Sequence, residues 1–245
     1  MIPNVIHYCW FGRNPLPDSA LKCIASWRRF FPEYEIKEWN EDNFDVNSIP
    51  YTKEAYEAKK YAFVSDYARY WVLYRHGGLY FDTDVEIIHD MQDIVEKGPF
   101  MGIEVPGNGV RMPKVAPGLG LGAVPGMGFY KVILEAYSTW HFLNEDGTKN
   151  LTTIVEYNTN KLIESGLRLT DSLQNVAGIN IYPVDYFNPL DDLTGHLNIT
   201  ENTRSIHWYS RTWSDSSSLR KQLSRFSHKL FGMKLHALLK KLNFR

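Results

Sequence analysis

Residues 64–86 read V-S-D-Y-A-R-Y-W-V-L-Y-R-H-G-G-L-Y-F-D-T-D-V-E, and this stretch decides the fold. Phe63, Tyr67, Tyr70 and Tyr74 recur at three- and four-residue spacing, the stripe of a helix that faces a core. His76 and then Gly77-Gly78 end it, because glycine takes the left-handed capping conformation without steric cost. Leu79-Tyr80-Phe81 follows as a short apolar run fit for a buried strand. It ends in Asp82-Thr83-Asp84. In an extended chain residues i and i+2 point the same way, so both carboxylates are expected to face one spot. Open α/β sheets take their ligands at such strand ends.

Two close carboxylates repel each other unless a cation or proton sits between them. Oxygen ligands suit Mg²⁺ or Mn²⁺, ions that bridge protein carboxylates to a substrate's phosphates. The tripeptide alone carries little weight: 14 aspartates in 245 residues give about one D-x-D by chance. Its position after helix, Gly-Gly and strand is what informs. On the same helix Asp66 and Arg69 lie three apart, so they share a face and can form an intrahelical ion pair.

The pattern S-D-x-x-R-x-x-x-L-x-x-x-G-G-x-Y-x-D-x-D, from Ser65 to Asp84, resembles the signature of the DXD-containing sugar-transferase family. That family includes capsular polysaccharide glycosyltransferases and fungal mannosyltransferases; the glucosylating domains of large bacterial toxins are more distant relatives. Residues 2–12, I-P-N-V-I-H-Y-C-W-F-G, are similar to its opening I-P-x-x-I-H-x-x-W-x-G. Residues 205–213, S-I-H-W-Y-S-R-T-W, are similar to its closing H-x-x-x-x-S-W, with Thr212 where relatives have Ser.

The resemblance implies an α/β fold of GT-A type, Rossmann-like with a mixed central sheet, a nucleotide-sugar donor, a divalent ion and retention of anomeric configuration. It implies Asp82, Asp84 and His207 as metal ligands, and an imidazole ligand favours Mn²⁺ over Mg²⁺. It places Trp10 against the donor's base, with Cys9 offering backbone, and Tyr80 near the diphosphate or ribose. It gives Asp66 and Arg69 the donor sugar's hydroxyls; arginine can also reach phosphate through its fork of donors. Trp213 belongs to a segment that folds over the nucleotide. Asp84, Arg69 and Asp66 are the expected catalytic residues. On the residues alone, Trp10 also fits a core position and His207 a structural one.

Hydrophobic residues make up 44% of the chain and aromatic residues 14%, enough for one sizeable core with rings to spare for stacking. A net charge of −1 gives the whole chain no general affinity for nucleic acid. Cys9 and Cys23 are too few for a disulfide framework and fit a reducing compartment. No charged segment followed by an apolar run opens the sequence, and no stretch of about 20 apolar residues occurs. A cytoplasmic protein is therefore expected.

Elsewhere a first strand is read from Val5 to Trp10 and a helix over 18–31, with Ala20, Ile24 and Trp27 inward. Glu35–Trp39 reads as a second strand and Lys53–Lys60 as a charged helix. Phe129–Phe142, with Val132, Ile133, Ala136 and Trp140 on one face, and Leu151–Leu162 read as helices; Ile179–Leu190 is a strand and turn. Residues 98–128 are rich in glycine and proline but lack G-K-[ST], so they form no phosphate-binding loop of that type. Relatives usually have an Asn in this region, where this chain has P-G-L-G at 117–120. The segment is expected to be a mobile wall between donor and acceptor.

From Leu219 the composition changes: residues 219–245 hold eight bases and no acid, and the remaining 19 bases against 28 acids leave the body at −9. Leu219, Leu223, Phe226 and Leu230 share one helical face, as do Leu235, Leu238, Leu239 and Leu242, with Gly232 between. Two units follow: residues 1–217 as the GT-A domain, and 218–245 as C-terminal basic amphipathic helices of the kind that lie on an anionic membrane surface. Docking of the tail on the body is the alternative.

The expected activity is metal-dependent, retaining transfer of a hexose from a nucleotide-sugar to a saccharide acceptor, including one carried on a lipid, in capsular or surface polysaccharide synthesis. UDP is the expected nucleotide, as in most bacterial relatives, and the inner face of the cytoplasmic membrane the expected place. One rival is a haloacid-dehalogenase-type phosphatase, whose strand-end D-x-D-x-[TV] resembles D-T-D-V, with the first Asp as nucleophile. S-D-x-x-R and Gly-Gly have no role in that scheme. A second is a non-catalytic sugar-nucleotide sensor on the same fold. An EF-hand is excluded, since the sixth position from Asp82 is Ile87 where glycine is required.

Overall fold

The structure, a computed structural model, describes residues 1–106, 112–192 and 194–210. Trp213 and the basic tail lie outside the described residues. In chain order the elements are β1 (Val5–Cys9), α1 (Asp18–Phe30), β2 (Glu35–Trp39), α2 (Pro50–Glu57), α3 (Tyr61–His76), β3 (Gly78–Tyr80) and β4 (Val85–Ile87). Then come α4 (Gln92–Glu96), β5 (Phe100–Val105), β6 (Lys114–Ala116), β7 (Leu121–Ala123), α5 (Gly128–Tyr137), α6 (Ile154–Glu164), β8 (Gln174–Val176), β9 (Ile179–Tyr182), α7 (Val184–Phe187) and β10 (Ser205–His207).

Eight strands form one mixed sheet in the order β2-β1-β3-β7-β5-β9-β8, with β6 beside β5. β1 is parallel to β2 and β3, β5 is parallel to β9, and β7 runs antiparallel to both β3 and β5. β2, β1, β3, β5 and β9 therefore all point the same way. The carboxyl ends of β1, β3 and β5 open on one edge, where a mixed α/β sheet presents its ligand site.

Alternation along the strands sends side chains into a core on each face. Tyr80, Met101, Ile103, Leu121 and Ile181 join α3, α5 and α6 on one side. Leu79, Phe81 and Phe100 join α1 and α7 on the other. α3 is buried on more than the aromatic stripe: Val64, Ala68 and Val72 are fully covered, whereas Phe63 and Tyr74 are only partly so. The helix lies between the sheet and a second layer of α2 and α5, so it has two faces to bury. On α5 the buried residues are Phe129, Tyr130, Ile133 and Tyr137; Val132, expected inward, is exposed.

Of residues 98–128, expected to form a mobile wall, the described ones (98–106 and 112–128) are anchored in the sheet rather than in a loop. They carry three strands, β5, β6 and β7, two of them in the middle of the sheet. Glycine reads as loop in a sequence, but a β-carbon at Gly122 would run into the Phe100 ring. The strand needs glycine because an aromatic ring takes the space.

Candidate active site

Asp82 and Asp84 reach the cleft by a turn rather than by extended alternation. The Val85 amide donates to the Asp82 carbonyl at 3.0 Å, closing a turn over 82–85 immediately after β3. β4 then pairs antiparallel with β10, setting His207 opposite Val85. The Trp208 amide donates to the Asp84 carbonyl at 2.9 Å, so the closing segment is stitched to the D-x-D turn.

A cleft of about 420 Å³ opens at this edge. At its centre are Asp66, Arg69, Asp82 and Asp84, joined by His207. Cys9 and Trp10, at the end of β1, line one flank, and Glu104 at the end of β5 lines the cleft as well. The cleft thus gathers seven of the nine residues singled out in the sequence; of the other two, Tyr80 does not line it and Trp213 lies outside the described residues.

Tyr80 holds a different place from the one expected. It is 1% exposed and lines no part of the cleft. Its hydroxyl donates to Asp82 Oδ1 at 3.0 Å, so it positions the carboxylate from behind. Side-chain alternation in β3 explains this: Leu79 and Phe81 face one core and Tyr80 the other.

Arg69 binds the site together. Its Nε donates to the Ser65 carbonyl at 3.1 Å, Nη2 to Asp66 Oδ1 at 2.9 Å and Nη1 to Asp82 Oδ2 at 3.4 Å. The guanidinium also lies over the Tyr80 ring, 5.0 Å from its centroid. The intrahelical pair foreseen from spacing therefore exists, and both partners also face the cleft. Burial pushes the Asp66 carboxyl up to about 6, with Arg69 opposing and Asp82 adding to the shift.

Gly118 backs onto Asp82. Its carbonyl accepts from the Asp82 amide at 3.1 Å, and a β-carbon at this position would collide with the Asp82 carboxylate. The P-G-L-G stretch that departs from relatives thus leaves room for the D-x-D.

On the other side, His207 Nε2 lies 3.2 Å from Asp84 Oδ1, while Asp84 Oδ2 accepts from the Ser210 amide at 2.8 Å and the Ser210 hydroxyl at 3.0 Å. Burial alone would raise the Asp84 carboxyl; His207 and Ser210 outweigh it and hold it down at about 2. Burial likewise works against a charged His207, but Asp84 prevails and lifts its pKa above the ordinary value.

Trp10 donates through Nε1 to the Asn14 carbonyl at 2.7 Å and is only partly covered, so its ring is oriented at the cleft's edge rather than sunk in the core. Cys9 is buried, and burial pushes its thiol up to about 12, leaving it uncharged. Ser210, Tyr209 and Glu104 were not singled out in the sequence. Ser210 lay within the recognised closing pattern; Glu104 carries no sequence signal.

Among the described residues no three His, Cys, Asp or Glu side chains converge as a preformed metal cage. The donor set fits another mode, in which one or two carboxylates hold a hard cation together with a substrate's phosphates. Asp82 and Asp84 are such a pair on one cleft wall. His207 offers a nitrogen beside them, its Nδ1 buried without a hydrogen-bond partner.

Residues 17–101 match a family model described as the glycosyltransferase sugar-binding region containing the DXD motif. The match contains Asp66, Arg69, Asp82 and Asp84. An uncharacterized glycosyltransferase of Acanthamoeba polyphaga mimivirus is 33% identical over 106 residues, covering 41% of this chain and 42% of that protein. Inositol phosphoceramide mannosyltransferase 3 of Schizosaccharomyces pombe is 31% identical over 88 residues, covering 34% of this chain and 24% of that protein. The matches thus span less than half of these curated relatives. Among solved structures, the PaToxG glycosyltransferase shares the fold, with a TM-score of 0.51 at 17% identity over 66% of this chain and 69% of that one. Residues 17–101 are thus similar to a DXD-type glycosyltransferase sugar-binding region, and the mixed α/β fold is that of a glycosyltransferase of known structure. Asp66 and Arg69, which have no role in the phosphatase scheme, line the cleft beside Asp82.

Proposed function

We propose that the chain transfers a hexose from a nucleotide-sugar, UDP-linked by preference, to a saccharide acceptor, with retention of configuration. The observation that carries this reading is the convergence of the D-x-D turn, the Asp66–Arg69 pair and the Trp10 ring on one cleft at the carboxyl edge of the sheet. Asp82 and Asp84 would hold Mn²⁺ or Mg²⁺, with His207 as a third ligand. When bound, the ion supplies Lewis-acid stabilisation of the departing nucleoside diphosphate. Trp10 offers its face to the base. Asp66 accepts from the donor sugar's hydroxyls, and Arg69, held by Ser65, Asp66 and Asp82, keeps positive charge where the phosphates collect. Attack by the acceptor hydroxyl from the face of the leaving group forms the new glycosidic bond as the anomeric carbon–phosphate bond breaks. The departing phosphate takes the hydroxyl proton, and no covalent enzyme intermediate is required.

Slow hydrolysis of the donor needs no acceptor, so the test is a screen of nucleotide-sugars with the full chain. Metal-dependent release of nucleoside diphosphate from one of them supports the transferase. Binding of a nucleotide-sugar without any release would instead favour the sensor.

The basic run from Leu219, which lies outside the described residues, is proposed to meet anionic lipid, with the enzyme at the inner face of the cytoplasmic membrane and a lipid-carried acceptor within reach. Vesicles of phosphatidylglycerol should pellet the full chain, less so in high salt, and should not pellet a chain ending at Ser217. Equal pelleting of both would remove this role from the tail.

A further inference from the structure

The flank of the cleft opposite Trp10 carries two backbone irregularities. Ile103 pairs with Val115 and Val105 with Lys114, so the register slips between them and Glu104 is the extra residue of a bulge in β5. Bulges re-aim side chains and occur beside active sites. Here the bulged side chain lines the cleft, while its carbonyl is secured by the Asn188 side-chain amide at 2.9 Å. Facing it, Tyr209 has a φ of 51°, an uncommon conformation for a bulky aromatic residue. Its hydroxyl accepts from Asn188 Nδ2 at 2.7 Å and hydrogen-bonds to the Glu104 carboxylate, and its ring packs on His207 at 4.1 Å between centroids. Asn188 thus holds both irregular residues at once, and both face the cleft.

We propose that Glu104, braced by Tyr209, is the acceptor-binding carboxylate: it takes hydrogen bonds from the hydroxyls of the acceptor saccharide and sets the attacking one against the donor. The sheet order supports this side of the cleft for the acceptor. β1 and β5 lie on opposite sides of β3 and β7, so with Trp10 taking the base and the D-x-D the diphosphate, the β5 flank is the remaining one. Charge agrees. A carboxylate added to a cleft that already holds Asp66, Asp82 and Asp84 repels a further anion but accepts well from neutral sugar hydroxyls.

This inference rests on the transferase reading, and the test separates the two. The probes are methyl α-glucoside, methyl α-galactoside and methyl α-mannoside, followed by saturation-transfer NMR on the full chain with UDP or GDP present. In the native chain at least one glycoside should bind. Glu104→Gln should weaken it about tenfold, the loss of a hydrogen bond to a charged acceptor, and leave the affinities for UDP, GDP and Mn²⁺ unchanged. Tyr209→Phe, at a partly exposed loop position, should weaken the glycoside about threefold and serves if Glu104→Gln fails to fold. Native-strength glycoside binding in the variants, no glycoside binding in the native chain, or loss of nucleotide or Mn²⁺ affinity in step with the glycoside would each overturn the assignment. Failure of the native chain to bind either UDP or GDP would instead strike the transferase reading itself.

Discussion

His207 Nε2 and Asp84 Oδ1 stand 3.2 Å apart, a buried ion pair that joins the end of β10 to the D-x-D turn. A metal ion at Asp84 competes with this pair, because an imidazole ligand must be neutral. The folded-state pKa of His207 is raised, so the pair's contribution is fully present below the ordinary histidine value and is lost as pH rises through the raised one. The Asp84 contribution is present above its ordinary value and lost as pH falls through about 2. Mn²⁺ binding near neutral pH should therefore release a proton and weaken as pH falls. Calorimetry in two buffers of different ionisation enthalpy measures the release; its absence would make His207 a structural residue. His207→Ala should lower Mn²⁺ affinity by about tenfold or more.

Donor recognition should divide between the two sides of the D-x-D. Asp66→Asn keeps a partner for the buried Arg69 guanidinium, whereas Asp66→Ala would leave it short of one and cost about 3–5 kcal/mol. The Asn variant should fold and bind the free nucleoside diphosphate normally while losing use of the nucleotide-sugar. Trp10→Ala should weaken the nucleotide itself, by about 1–3 kcal/mol if base stacking is lost. Titration of both ligands into both variants checks this; equal losses throughout would remove the distinct roles.

Gly118→Ala should disable the site without unfolding the protein. A β-carbon there meets the Asp82 carboxylate, a movable side chain, so the carboxylate and not the backbone gives way. Donor hydrolysis should fall at least about tenfold, the scale of a lost charged contact. Gly128→Ala, which opens into free space, is the control. Equal activity in the two variants would mean that Asp82 tolerates displacement.

Acid should destabilise the fold through His7. Its ring accepts from Trp39 Nε1 at 3.0 Å and binds the Gly77 carbonyl at 2.9 Å, which fixes one neutral tautomer in a buried strand. Burial lowers its pKa to about 4, so the unfolded chain binds more protons than the native one between about 6.5 and 4. Stability should fall across that window as pH drops, by on the order of 3 kcal/mol in all. Urea denaturation from pH 7 to 4 gives the slope. His7→Gln should flatten it; an unchanged slope would place the acid sensitivity elsewhere.

The stretch from α3 to the D-x-D was legible because three local signals agree: helical period, glycines that take positive φ at 77 and 78, and an apolar run ending in acid. β1, β2 and α1 were read within a residue or two for the same reason. Strands β5 to β7 were not, because the glycines that suggest loop are required by rings, such as Phe100 over Gly122, that only the fold brings near. The burial of Tyr80 follows from the side of β3 it occupies, which a three-residue strand does not disclose. Glu104 enters the cleft through a register slip against β6, and no residue type announces one.

The proposed function turns on Asp82 and Asp84 holding an ion against a nucleotide-sugar. Its most direct measurement is release of nucleoside diphosphate from the accepted nucleotide-sugar by the native chain and by Asp84→Asn, each with EDTA and then with excess Mn²⁺. The predicted result is turnover by the native chain that EDTA stops and Mn²⁺ restores, with Asp84→Asn largely inactive throughout, since an amide is a much weaker ligand than a carboxylate. Full turnover in EDTA, or an Asp84→Asn variant as active as the native chain, would contradict it.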